Sequence, residues 1–264
     1  ETVDPFAPQA EASFLGMVCM KDPLRPSARE AIQLCRSAGI RVVMITGDHP
    51  LTAYAVAKEL GLPVQPKNIM NGAELATLED YDLERRIREI DVFARVVPED
   101  KIRIVKAWQA TGAVVAMTGD GINDAPALKA ANIGVAPGSG TDIAKETADL
   151  VLLDDDFHTV VAAVREGRVI FDNIRKVLLY LMAGSMAEVI IIGAGLTVGL
   201  SVPGFPLPLL AAQILWVNIV TDILPNIALA FDPEEPGIMQ EPPRKSAEAL
   251  LLRWHWALIA IVSV

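Results

Sequence analysis

Two stretches of the chain end in nearly the same turn, Ile45-Thr-Gly-Asp48 and Met117-Thr-Gly-Asp-Gly-Ile-Asn-Asp124. In each, the threonine hydroxyl and the backbone N–H groups of the turn suit an anion, the glycine permits close approach, and a helix N-terminus follows. The second turn adds two carboxylates. Asp120 and Asp124 would repel a phosphate unless a cation stood between, so the pair predicts a Mg²⁺ site bridging to phosphoryl oxygens. Helix capping explains a lone Thr-Gly-Asp turn. It does not require the two acids, one asparagine and two glycines found together in residues 118–125. Between the turns lies Phe93-Ala-Arg-Val-Val-Pro-Glu-Asp-Lys101, with Pro98 suited to a helix start and Lys101 in the first turn. A lysine there opposes the helix dipole, so a local anion accounts for it better than helix stability does; the alternative is a solvated surface lysine.

A second constellation sits in an apolar setting. Across residues 177–230 the only charged side chains are Glu188 and Asp222. A carboxylate at bilayer depth costs several kcal/mol and requires a partner, a proton or an ion. Asn218, Thr221 and Asp222 stand at i, i+3 and i+4, three oxygen ligands on one helical face. Pro225 removes an N–H and frees a carbonyl one turn earlier, loosening the helix beside them. Oxygen ligands suit a hard cation such as Ca²⁺, Na⁺ or K⁺, whereas copper or zinc would call for Cys or His. A structural hydrogen-bonded pair between helices is the competing account of the two acids.

The elements that must position these groups follow from patterning. Short apolar or β-branched runs at 14–20, 40–45, 92–94, 113–117, 133–135 and 150–153 predict strands. Helical patterns at 27–37, 50–60, 78–89, 98–109, 125–131 and 141–147 alternate with them. Such alternation predicts a doubly wound parallel sheet covered on both faces, with ligands at the carboxyl ends of the strands. Lys21-Asp-Pro-Leu-Arg-Pro26 closes the first strand and by itself reads as an Asp-Pro turn. Asp154-Asp-Asp156 reads as an acidic capping loop before a helix running over 157–200. That helix is roughly 65 Å long at about 1.5 Å per residue, twice a bilayer core of about 30 Å.

Composition agrees with two environments in one chain. The 264 residues carry a formal net charge of −10 and are 52% hydrophobic against 21% charged, which excludes disorder. Two cysteines, Cys19 and Cys35, argue against a disulfide framework. The acidic balance and the lack of a Lys/Arg run argue against a nucleic-acid partner. Mean hydropathy is +0.37, too high for a soluble domain. The apolar residues fall in 177–200 and 209–230, each long enough to span a bilayer, separated by Ser201-Val-Pro-Gly-Phe-Pro-Leu-Pro208. Arg165, Arg168, Arg175 and Lys176 precede the first span, and Arg244, Lys245 and Arg253 follow the second, which predicts cytoplasmic flanks. A further apolar run from Trp254 stops at Val264 and no Met opens the sequence, so both ends read as cuts in a longer protein.

The strings MITGDHPLTA, FARVVPEDK, AMTGDGINDAPALKAANIGVAPGSGTDIAKETADLVL and QILWVNIVTDILPNIAL resemble the phosphorylation domain and following membrane helices of P-type cation-transporting ATPases, within their calcium-pump-like branch. The resemblance covers nearly the whole length from about Phe14. It implies a haloacid-dehalogenase-like α/β phosphorylation domain, partial here, followed by transmembrane α-helices. The division it suggests is a cytoplasmic phosphorylation domain over 1–156, a stalk helix over 157–176, spans over 177–200 and 209–230, a cytoplasmic connector over 231–252 and the start of another span over 253–264. Trp254 and Trp256 mark its interface.

By resemblance, Asp120 matches the family's Mg²⁺ ligand, with Asn123 and Asp124 on the phosphoryl-transfer side. Lys101 matches the lysine that neutralises the transferring phosphate. Thr46 and Gly47 match the pair that hydrogen-bonds phosphoryl oxygens, followed by Asp48. Arg95 and the Asp22-Pro-Leu-Arg25 string resemble parts of the nucleotide and hinge surface. Glu188 matches an ion-coordinating glutamate, and Asn218, Thr221 and Asp222 match the Asn-x-x-Thr-Asp ion motif. The implied activity is ATP-driven cation transport through an aspartyl phosphate in a multi-pass membrane protein, using Mg²⁺ and ATP. Ca²⁺ leads as cargo, with Mn²⁺, Na⁺ and K⁺ open because Ser185 stands where calcium pumps carry an Asn.

One departure is sharp. The family's nucleophilic string Asp-Lys-Thr-Gly-Thr does not occur, nor do its nucleotide-binding and dephosphorylating domains, so the chain alone is expected to be inactive and to need the remainder of the pump. The alternatives are a membrane-tethered haloacid-dehalogenase-like phosphatase and a catalytically silent membrane ion-binding protein.

Overall fold

The structure is a computed structural model that describes residues 15–18, 23–206, 208–244 and 248–263. Its first half alternates strands and helices: α1 (Ala28–Ser37), β1 (Met44–Ile45), α2 (Pro50–Glu59), β2 (Ile69–Asn71), α3 (Gly72–Thr77), α4 (Asp80–Arg86), β3 (Val92–Ala94), α5 (Pro98–Ala110), β4 (Ala116–Thr118), α6 (Ala125–Ala130), β5 (Ile133–Pro137), α7 (Asp142–Thr147) and β6 (Leu150–Leu152). The strands form two parallel sheets of three, in the orders β1-β3-β2 and β4-β5-β6. This is a doubly wound α/β architecture, divided into two sheets where the sequence predicts one.

Alternation along the strands shows why both faces are covered. Val43, Ile45, Met70 and Phe93 turn toward Leu75, Leu83, Ile87, Ile104 and Ala107 on α3 to α5 and the 3₁₀ turn Ile87–Glu89. Val42, Met44, Ile69, Val92 and Ala94 turn the other way, onto Ile32, Ala53, Ala57 and Phe157. Successive strand side chains must point to opposite faces, so a β-branched run buried on both sides carries no polar alternation. Ile45 also packs into the third cluster, with Val105, Met117, Leu128 and Ala136, and so joins the two sheets.

Several boundaries differ from expectation. Residues 14, 19 and 20 of the expected first strand lie outside the described residues, as do Asp22 and Lys245; residues 15–18 are exposed and form no strand. The strand expected at 40–45 is only Met44–Ile45 long. The helix expected over 78–89 begins at Asp80 and ends in a 3₁₀ turn. Both β2 and α3 were not expected. Gly72, at the start of α3, passes so close to Arg95 that a Cβ there would meet the Arg95 carbonyl oxygen at 2.1 Å.

The second half is helical. α8 runs unbroken over Phe157–Ser201, 45 residues, and is capped as the acidic loop predicts. Asp156 accepts from the His158 N–H at 2.9 Å and from the Ser27 hydroxyl at 2.8 Å. Asp154 accepts from the Thr159 hydroxyl at 2.6 Å. These bonds hold the Asp154 and Asp156 carboxyls below the usual carboxylate range, Asp154 chiefly through Thr159 and Asp156 chiefly through the His158 N–H. α9 (Ala211–Val217), a π-helical segment (Asn218–Ile223) and α10 (Leu224–Ala230) form a second continuous rod, and α11 (Arg253–Val262) follows. α8 and the 211–230 rod are each long and apolar enough to cross a membrane.

Beyond the start of α8, where Val161 packs on Ala31 and Cys35 of α1, the two halves are tied through Arg168. Arg168 donates to the carbonyls of Ile238 and Glu241 at 2.7 and 2.8 Å, and to that of Ala38 at the end of α1 at 2.8 Å. Gly39, at φ +74°, lets Pro243 pack against it; a Cβ would stand 2.6 Å from the proline Cδ. Further along α8, the buried Asn173 donates to the Asp232 and Ala230 carbonyls at 2.9 and 3.3 Å. Lys176 pairs with Asp232 at 2.6 Å and Glu235 at 3.0 Å.

Candidate functional site

Each Thr-Gly-Asp turn lies at the carboxyl end of a strand, the first after β1 and the second after β4. Thr46 and Asp48 follow β1, and their carbonyls accept the Val96 and Arg95 N–H groups beyond β3 at 3.2 and 3.0 Å. The Thr46 hydroxyl accepts the Asp48 N–H at 3.1 Å, closing the turn in front of α2. Arg95 takes φ +53°, a left-handed conformation sparsely used by residues with a Cβ. Its side chain is exposed. Three residues later α5 begins, and Lys101 in its first turn reaches Asp124, beyond β4, at 2.5 Å.

That contact decides how the acids are arranged. Asp124 is buried, with one carboxylate oxygen on Lys101 and the other accepting the Gly121 N–H at 3.3 Å. Asp120 is exposed and makes no side-chain hydrogen bond or ion pair among the described residues. Its own carbonyl accepts the Thr141 N–H at 2.9 Å, which fixes the turn against α7. Gly119 is demanded by packing, because a Cβ would stand 2.4 Å from the Asp124 Cβ. Asn123 is exposed beside them. Among the described residues no three His, Cys, Asp or Glu side chains gather as a metal cluster.

In the helical half, Asn218, Thr221 and Asp222 all fall within the π-helical segment. Pro225 has no N–H to offer the Thr221 carbonyl four residues back, and the Tyr180 hydroxyl donates to that carbonyl at 2.7 Å. The freed carbonyl is therefore already engaged. The Thr221 hydroxyl bonds the Val217 carbonyl at 2.6 Å and approaches Asp222 at 3.5 Å. Gly184 on α8 faces Asp222, its Cβ position 3.7 Å from the carboxylate oxygen. α8 and the rod run antiparallel, as the Asn173–Ala230 bond at the other end requires. One turn on from Gly184 is Glu188 and one turn back from Asp222 is Asn218, so these two stand at the same depth. Glu188 makes no ion pair or hydrogen bond to a described residue, and Ser185 is exposed beside it. Sequence reasoning missed Tyr180, whose role is invisible without the pairing of helices, and it gave Gly119 to close approach of an anion, where the fold also needs it for Asp124, five residues ahead.

Residues 3–132 match the haloacid dehalogenase-like hydrolase family and residues 102–164 a second model of that description. Residues 206–264 match the C-terminus of cation transporting ATPases. The chain is 49% identical over 238 residues to calcium-transporting ATPase 1 of Bacillus cereus, with 90% of this chain and 26% of that protein covered. It is 48% identical over 252 residues to a calcium-transporting ATPase of Bacillus subtilis, with 94% and 28% covered. A probable cation-transporting ATPase F of Mycobacterium tuberculosis is 49% identical over 247 residues, with 92% and 27% covered. The chain thus spans little more than a quarter of the length of these relatives.

Proposed function

The chain belongs to the P-type cation-transporting ATPases, and from that premise we propose that it serves ATP-driven transport of a cation, Ca²⁺ first, through an aspartyl-phosphate intermediate. The observation that carries the catalytic part is the reach of Lys101 to Asp124, in the same turn as an Asp120 that has no partner among the described residues, at the carboxyl end of β4. Lys101 and Asp124 form a held pair, so the lysine stands fixed where a transferring phosphate would bring its charge. Asp120 is the carboxylate left open for Mg²⁺, and Asp124 borders the same site. Bound there, Mg²⁺ would neutralise charge on phosphoryl oxygens, its other ligands being water or phosphate oxygens.

In this reading the Thr46 hydroxyl and the N–H groups around Gly47 and Asp48 orient the phosphoryl oxygens at the start of α2, and Asn123 lines the opposite turn. Phosphoryl transfer of this kind depends on positioned charge more than on covalent help, and each such group contributes several kcal/mol. Arg95 faces the nucleotide from its left-handed turn. The accepting aspartate lies in the Asp-Lys-Thr-Gly-Thr string of the longer pump, outside this chain.

The transport half is assigned to Glu188, Asn218, Thr221 and Asp222, with Ser185 alongside. They supply oxygen ligands to a hard cation between two helices that cross the bilayer over 177–200 and 209–230. The sheet domain and the 231–252 connector then lie on the cytoplasmic side, as the flanking arginines and lysines favour. The test is acid-stable phosphoenzyme formed from labelled ATP by the intact pump, scanned against Ca²⁺, Mn²⁺, Na⁺ and K⁺. Phosphoenzyme that needs one of these ions and vanishes in Asp222→Asn supports the reading; ion-independent phosphoenzyme overturns it in favour of a membrane-tethered phosphatase.

A further inference from the structure

One polar side chain of the helical half has no part in the assignment above. Asn226 lies in α10, four residues beyond Asp222 and eight beyond Asn218, so the three succeed one another at one-turn intervals. Its amide oxygen is buried and, like its amide nitrogen, makes no hydrogen bond to a described residue. A buried polar atom left unpaired costs on the order of 1–3 kcal/mol, and exchanging the oxygen and nitrogen of this amide would not cure it. Native structures keep such an atom where something else completes it.

The α8 side chains level with it do not do so. By the antiparallel pairing, Asn226 lies between the level where Gly184 faces Asp222 and the level where Asn173 holds the Ala230 carbonyl. That interval of α8 covers residues 174–183; toward its Asn173 end Arg175 faces Asp172 at 3.7 Å and Lys176 pairs with Asp232 and Glu235, and in its middle, level with Asn226, stand Val177, Leu178, Leu179 and Tyr180. Three of these four have no polar side-chain atom, and the Tyr180 hydroxyl is committed to the Thr221 carbonyl. An acceptor oxygen with no donor near it suits a cation.

We infer that Asn226 is a further oxygen ligand of the transported cation, on the Asp232 side of Asp222. The inference rests on the transport reading above and deepens it. Ca²⁺ takes six to eight oxygens at about 2.3–2.6 Å, more than Glu188, Asn218, Thr221 and Asp222 give with one oxygen each. The amide at 226 offers the kind of oxygen that Ser185 does not.

The experiment is equilibrium binding of radiolabelled calcium, together with calcium-dependent phosphoenzyme formation, by the intact pump in membranes. The variants are Asn226→Leu, Asn226→Asp and Asp222→Asn. Asn226→Leu removes the oxygen at similar volume and is expected to raise the half-saturating Ca²⁺ concentration about tenfold without lowering the maximal phosphoenzyme. Asn226→Asp retains an oxygen and is expected to stay near wild type or bind more tightly. If Asp222→Asn abolishes binding while Asn226→Leu leaves it unchanged, the inference fails and the transport reading stands. If Asp222→Asn has no effect, the transport reading itself has failed. Loss of thermal stability in Asn226→Leu at unchanged affinity, or equal loss of affinity in the Leu and Asp variants, makes the residue structural and overturns the inference.

Discussion

The sheet half and the helical half treat their charged groups in opposite ways. At the strand ends, Asp124 is buried and closed on itself, with Lys101 on one oxygen and the Gly121 N–H on the other. Between the helices, Glu188 and the Asn226 amide have no partner among the described residues, while Thr221 spends its hydroxyl on its own helix. A group paired in advance costs nothing to reorganise when its ligand arrives, whereas a group left open contributes its full binding energy to the ligand. The first arrangement suits a phosphate whose charge is neutralised in place. The second suits a cargo whose arrival must be felt.

The largest effect expected from breaking this contrast is at Asp120, the open acid of the otherwise closed site. Asp120→Asn should lower phosphoenzyme formation by about three orders of magnitude, read as acid-stable label; retention of full labelling would remove Asp120 from the metal role. Next comes Glu188→Gln, which keeps the shape and removes the charge. It should weaken Ca²⁺ binding by about ten- to a hundredfold while leaving the fold intact, measured by equilibrium binding beside circular dichroism. Unchanged affinity would mean that Glu188 is a structural acid.

Gly119→Ala tests the closed side through packing alone. The new methyl would meet Asp124 at 2.4 Å, and pushing that carboxylate off Lys101 should cost about 1–3 kcal/mol of stability, visible as a lowered unfolding midpoint. A comparable loss is expected for Arg168→Ala, which leaves the Ala38, Ile238 and Glu241 carbonyls without their shared donor. Limited proteolysis of the 231–244 connector should accelerate in that variant, and an unchanged rate would show the clamp to be redundant.

The smallest effect concerns pH. Asp154 and Asp156 are held below their ordinary carboxylate range, so their bonds contribute stability above the unfolded value of about 4 and lose it as pH falls through the folded value. Acidification should therefore loosen the start of α8. Asp156→Asn, which still caps the helix, should flatten that dependence, followed as protease cleavage near residue 156 against pH; an identical profile would locate the acid sensitivity elsewhere.

Much of this was legible in the sequence. The strand at 92–94 and the helix opening at Pro98 are found where patterning puts them, because a buried run followed by a proline leaves few alternatives. The Asp156 cap was readable because capping is local. β2 was not readable: Ile69-Met-Asn is three residues between Pro66 and Gly72, too short to show a period, and its burial comes from β3 beside it. The π-helical turn was half readable. Pro225 announces a weakened helix, but only Tyr180, forty-one residues away, reveals where the released carbonyl goes. In the same way spacing brings Asp120 and Asp124 together, and only the fold shows that Lys101 divides them into one paired acid and one open acid.

The two small sheets have a practical consequence for anyone handling this chain by itself. Among the described residues β1 is bonded only to β3 and β4 only to β5, so each presents there one strand edge whose N–H and C=O groups have no sheet neighbour. Such edges are templates for a passing strand. Preparations of the isolated polypeptide should therefore self-associate through them as concentration rises, even at a net charge of −10, and a short extended peptide that docks along β1 or β4 should keep it in solution.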